Sequence, residues 1–131
     1  MVTAPRRYRH ISAADYLAGD NDGQWRHEFV DGAVYPMPEM AAEHSLIRGE
    51  VVLKLMKVRE TLDVFSSDFK LRVRTDDRDR FYYPDVFVTH RTERGDPYYA
   101  TDAILTVEVC LRKRKGCIVG RNSKPTGCSR R

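Results

Sequence analysis

Two rhythms of apolar and polar residues divide this chain. Ser12-Ala13-Ala14-Asp15 has the form of a capping box and predicts a short helix through about Ala18. A loop follows from Asp20 to Gly23, then two β-prone segments, Arg26 to Val30 and Ala33 to Tyr35, joined by Asp31-Gly32. An Asp-Gly pair at such a join predicts a hairpin, because Gly supplies a positive φ at low steric cost. Pro36 and Pro38 end the second strand. From about Ala41 to Glu60 the rhythm becomes helical: Ile47, Val51, Leu55 and Val58 recur at spacings of four, four and three, with Gly49 as the weak point.

Beyond the helix the period falls to two. Val64-Phe65 opens a strand region that continues through Phe69, Leu71 and Val73, where charged residues alternate with apolar ones as on a half-buried strand. Thr75 to Arg80 reads as a charged turn, Phe81 to Val88 as the next strand, and Thr89 to Asp102 as a polar loop. Ala103 to Cys110 is almost continuously apolar, which predicts a central, buried strand. Helix, hairpin, long helix and three strands make an α+β (mixed α/β) domain over residues 1–110, with the long helix packed on a central mixed sheet.

Charge changes this picture at one end. Residues 1–110 hold 15 Lys/Arg against 19 Asp/Glu, whereas residues 111–131 hold 8 Lys/Arg and no acid. The basic excess therefore belongs to a tail that lacks either periodicity and is not expected to join the fold. All three cysteines, Cys110, Cys117 and Cys128, lie at or beyond position 110 without Cys-x-x-Cys spacing, so free thiols in a reducing compartment are expected rather than a zinc site. No apolar run approaches the roughly 20 residues that span a bilayer, and no apolar stretch follows the basic N-terminus as in a signal peptide. A soluble cytoplasmic protein without membrane attachment is the expectation.

Two acids stand where acids are costly. Glu108 lies inside Ile104-Leu105-Thr106-Val107-Glu108-Val109, and Asp85 inside Tyr83-Pro84-Asp85-Val86-Phe87-Val88. A carboxylate in a buried strand costs several kcal/mol unless it is paired or binds a cation. Two such acids on two strands can share one divalent ion, and oxygen-only ligation with open positions suits Mg2+ or Mn2+. The plainer alternatives are that Asp85 caps a turn after Pro84 and that Glu108 pairs with an arginine such as Arg72.

The order of these features resembles that of PD-(D/E)XK nucleases and, more narrowly, the Uma-type restriction-endonuclease family. That family's leading helix is followed by a Y-E-L-I-D-G-E hairpin, matched by His27-Glu28-Phe29-Val30-Asp31-Gly32-Ala33. Its Pro-rich stretch and His-bearing helix are matched by Pro36, Pro38 and His44, its S-D-V-x-V strand by Ser67 to Leu71, and its Y-P-D-V strand by Tyr83 to Val86. Its V-V-E-V-L-S strand is matched only through Val107-Glu108-Val109. Six short motifs in one order cover about residues 8–110. The resemblance implies a restriction-endonuclease-like core that hydrolyses DNA phosphodiesters with Mg2+ or Mn2+, with Asp85 and Glu108 as metal ligands. It places Glu28 and His44 near the site, although an exposed hairpin acid and a helix cap are their bland readings. It leaves a homodimer open.

The match fails after Val109. Position 110, where the superfamily often has its lysine, is Cys, and Leu111-Arg112-Lys113-Arg114-Lys115-Gly116 stands where the family continues into a lysine-bearing helix. Lys113 and Lys115 are weak substitutes. Translation out of frame past Val109 is the expected origin of this segment, leaving a truncated, poorly stable domain in which activity can be lost. The alternatives are a basic tail that binds nucleic-acid phosphate and a catalytically dead, dimer-forming remnant of the fold.

Overall fold

The structure, a computed structural model, describes residues 10–58, 60–91 and 95–111. The expectations for residues 112–131, including Lys113, Lys115, Cys117 and Cys128, fall outside that range. The first helix, α1 (Ala13–Asp22), begins as its capping box dictates: the Asp15 N–H donates to Ser12 Oγ at 3.1 Å, and the Ser12 hydroxyl donates to Asp15 Oδ2 at 2.7 Å. It runs four residues beyond the expected end, and the Gly23 N–H closes it onto the Asp20 carbonyl. The hairpin follows as β1 (His27–Val30) and β2 (Ala33–Pro36). Asp31 and Gly32 take φ of 51° and 84°, the paired positive values of a two-residue primed turn.

The long helix α2 spans Ala42–Val58. Its inward stripe is His44, Arg48, Val51 and Leu55, buried or half-buried; Ile47, expected on that stripe, is 41% exposed. Six further strands follow: β3 (Leu62–Ser66), β4 (Lys70–Thr75), β5 (Arg78–Tyr82), β6 (Val86–His90), β7 (Tyr99–Ala100) and β8 (Ala103–Val107).

The strand region expected through Val64–Val73 is thus two strands. A turn in which the Phe69 N–H donates to the Ser66 carbonyl separates them. The strand expected over Phe81–Val88 is also two, broken at Tyr83-Pro84-Asp85, because Pro84 has no N–H to continue a ladder.

Both breaks carry the chain between sheets. One sheet has the order β2-β1-β5-β4-β7, antiparallel except for the β4–β7 pair; the other has the order β3-β6-β8 and is wholly antiparallel. The fold is α+β. The expected helix on one central mixed sheet is corrected, since α2 packs on β3 and β6 of the three-stranded sheet. Helix α1 covers the larger sheet through Tyr16, which stacks on Phe29 at 5.0 Å and lies 5.4 Å from Phe81.

β8 is not central. It pairs with β6 only, and Ile104 and Leu105 are 50% and 43% exposed. An apolar run records which surface needs cover; it does not specify a covering element, and none of the described residues provides one here. Among the described residues no helix is long and apolar enough to cross a membrane.

Gly32 offers a check on the hairpin. A Cβ there would sit 2.3 Å from the His10 ring, on a backbone that L-residues rarely adopt. Gly32→Ala is expected to destabilise the domain by about 1 kcal/mol or more. Urea unfolding of the two proteins measures this, and equal midpoints would contradict the turn geometry.

Candidate active site

The break between β5 and β6 is also where the acids gather. Val86 pairs with Val107 across the antiparallel β6–β8 ladder, so one step further along the same register stand Asp85 and Glu108. Directly opposed residues of an antiparallel pair point to the same side. The two carboxyl groups accordingly interact with one another, and the Val109 N–H donates to Asp85 Oδ2 at 2.8 Å.

His44 reaches this point from the first turn of α2. Its Nε2 lies 3.1 Å from Asp85 Oδ2, with both side chains about nine-tenths enclosed. His44 is therefore not a helix cap. Its Nδ1 is buried and has no described partner, the only such side-chain atom among the described residues. Asp85 does not merely cap a turn, because its carboxylate is engaged by His44 and by the Val109 backbone from two other elements.

Glu28 arrives from β1. Phe29 pairs with Phe81, which carries Glu28 onto the opposite face of the larger sheet, on the side of Tyr82. There the Tyr83 N–H donates to Glu28 Oε1 at 3.2 Å. Glu28 is half-buried, so the exposed-hairpin reading is set aside. Burial pushes its carboxyl above the ordinary glutamate value, and the Tyr83 N–H draws it partly back.

Glu108 is affected most. Loss of solvent, then the charge of Asp85, the hydrogen bond to Asp85 and the charge of Glu28 push its pKa up to about 8, with the Asp85 backbone opposing. The residue is nonetheless exposed overall, at a groove of about 390 Å³ that Arg72 and Arg74 line together with Leu71, Tyr82, Pro84 and Thr106. Arg72, the expected alternative partner, is instead held by Asp79 through two bonds of 2.9 and 3.0 Å.

The charges of Asp85 and Glu28 both raise the proton affinity of Glu108, although Arg72 and Arg74 line the same groove. A divalent cation fits this donor set, because it would neutralise charges that otherwise raise one another's proton affinity. Among the described residues no group of three or more His, Cys, Asp or Glu side chains is arranged to hold a metal ion.

A second cluster, invisible in the sequence, braces the first. Lys70 is 4% exposed; its Nζ lies 3.1 Å from Asp20 Oδ2 and also bonds Asn21 Oδ1. Tyr83 donates its hydroxyl to the same Asp20 oxygen at 2.6 Å, and the His27 N–H donates to Asp20 Oδ1 at 2.9 Å. Lys70 looks like one more charge on the outer side of an alternating strand, and Asp20 like a loop residue. Only the packing of α1 across β4 shows that both are enclosed. Asp68 is not at the carboxylate centre; it is 85% exposed at its side chain and pairs with Arg26 at 2.8 Å.

The raised value at Glu108 has a sign that can be tested. The folded state holds this proton more tightly than the unfolded chain, so the contribution to stability is greatest at acidic pH. It declines as pH rises from about 4.5 through about 8. Glu108→Gln is expected to flatten the pH dependence of the unfolding midpoint across that window. Two parallel curves would show that Glu108 titrates normally.

The chain was compared with known proteins. No curated protein and no solved structure matches it significantly. A family profile described as "Putative restriction endonuclease" matches residues 13–112, a span that contains all four converging side chains. Since the match covers well over half of the sequence, the chain belongs to the Uma2 family of restriction-endonuclease-type proteins.

Proposed function

We propose that this chain is a metal-dependent DNA endonuclease domain whose reaction centre is Asp85, Glu108, Glu28 and His44. The observation that carries the reading is the approach of Asp85 and Glu108 across the ends of β6 and β8, beside a groove that Arg72 and Arg74 also line. Family membership makes DNA the substrate class to test first.

Each side chain has a distinct task in this reading. Asp85 and Glu108 would hold Mg2+ or Mn2+, which supplies Lewis acidity toward a phosphate oxygen and a water of lowered pKa. His44 fixes the Asp85 carboxylate from α2, so that the oxygen it contacts keeps its direction when the proton balance of the site changes. Glu28 holds the backbone at Tyr83, two residues ahead of Asp85, and adds negative potential that favours a cation. The raised proton affinity of Glu108 means that a proton and a cation compete for its carboxylate. The proposed domain is residues 1–110, and the protein is read as cytoplasmic. Two residues after Glu108, where related nucleases often carry a lysine, this chain has Cys110.

Two measurements test the proposal. Nicking of supercoiled DNA in Mg2+ or Mn2+ is expected to fall by at least about 100-fold in Asp85→Asn and Glu108→Gln, the order of effect of removing a ligand or its support. Mg2+ affinity, followed by calorimetry, is expected to rise about tenfold per pH unit below about 8, because one proton leaves Glu108 for each ion bound. An affinity independent of pH, or nicking that survives Asp85→Asn, would remove the basis for the proposal.

A further inference from the structure

Helix α2 carries a second apolar stripe that faces away from the body. Ala42, Leu46, Gly49, Leu53 and Met56 recur at spacings of four, three, four and three, and all five are exposed. Leu46 is 73% and Leu53 63% exposed. Alternating steps of three and four trace one narrow seam, the pattern by which two helices interlock side chains. The inward stripe of the same helix, His44, Arg48, Val51 and Leu55, already packs on the sheet, and none of the described residues covers the outer seam. Gly49 sits in the seam with nothing within 4 Å of where a Cβ would stand, leaving room for a close backbone approach.

Charge identifies the occupant. The row beside the seam runs Glu43, Glu50, Lys54, Lys57, acidic in the first half of the helix and basic in the second. A helix with that polarity is complementary to itself when reversed. We propose that α2 is a dimer interface in which two copies of this chain pack their outer seams antiparallel about a two-fold axis near Val51. Leu46 then meets Met56 of the partner subunit, and Gly49 meets Leu53 of the partner subunit. Glu43 lies beside Lys57 of the partner subunit, twice by symmetry. Glu50 lies beside its own symmetry mate, an unfavourable pair near the axis.

The size of the seam sets the strength. A helix of 17 residues is roughly 25 Å long, and one such pair buries less than the about 1,200 Å² of standard stable complexes. The dimer is therefore expected to be weak and to form reversibly with concentration.

Sedimentation equilibrium of the full chain, without DNA or added metal, tests this independently of any nuclease activity. Self-association is expected across the micromolar range, and Leu53→Glu is expected to weaken it by more than about tenfold by burying an unpaired charge. Glu43→Lys and Lys57→Glu should each weaken it by about two- to fivefold, and the double exchange should restore it. Glu50→Gln should strengthen it. Restoration by the double exchange requires the antiparallel pairing, and a general loss of folding cannot produce it. A chain that stays monomeric throughout, as when its own residues 112–131 cover the seam, overturns the proposal. So does a dimer indifferent to Leu53→Glu or to the charge exchange.

Discussion

Carboxylates that approach one another repel, and this structure brings Asp85 and Glu108 together through a backbone register that leaves them no alternative. Once Val86 faces Val107, the next residues must face each other as well. The register is set by apolar side chains further along: Val86, Phe87 and Val88 are buried, and Phe87 stacks on Phe65 at 5.1 Å. A slip by one residue would turn those side chains to the other face, a larger loss than the repulsion of two acids at a partly solvated strand end. The core therefore holds the charges in place, and the local cost appears as the raised proton affinity of Glu108.

The same logic explains the corner that precedes Asp85. Tyr83-Pro84-Asp85 must leave one sheet and enter the other, and Pro84 ensures that the ladder stops. What fixes the direction of departure is Tyr83. Its N–H is held by Glu28 from β1 and its hydroxyl by Asp20 from α1, while Lys70 from β4 neutralises Asp20. Three elements thus clamp one residue, two positions before the acid. A buried ion pair adds little net stability against an apolar replacement, but breaking it by removing one partner is costly. Its contribution here is to fix a geometry.

Much of this was legible in the chain and some was not, for identifiable reasons. The Ser12 cap and the Asp31-Gly32 turn depend on neighbours in sequence, and both appear where local chemistry puts them. Asp85 and Glu108 stood out because an acid inside an apolar strand is conspicuous. The allocation of strands to two sheets was hidden, since period-two alternation continues across a turn without a mark, as at Phe69. Lys70 was hidden for a related reason. A charged residue in an alternating strand signals water, and its enclosure depends on a helix some fifty residues earlier in the chain, through Asp20 and Asn21. β8 shows the converse error: its apolar run was read as a place in the sheet, although it states only a requirement for cover.

These features are physically joined at Val109. Its N–H closes onto Asp85, so the end of an edge strand with exposed apolar residues is tied down by the acid proposed to bind a cation. Charge at the centre and order at that strand end are then one coupled quantity. Anything that relieves the repulsion between Asp85 and Glu108 favours the native register of β8 over fraying, whether it is a proton on Glu108 or a divalent ion between the two. A ligand that binds only the ordered register stabilises it by mass action, to an extent set by its concentration relative to its dissociation constant. Proton and cation compete for the same oxygens, so they are alternative stabilisers rather than additive ones. The site and the end of this edge strand cannot be varied separately, because the same hydrogen bond belongs to both.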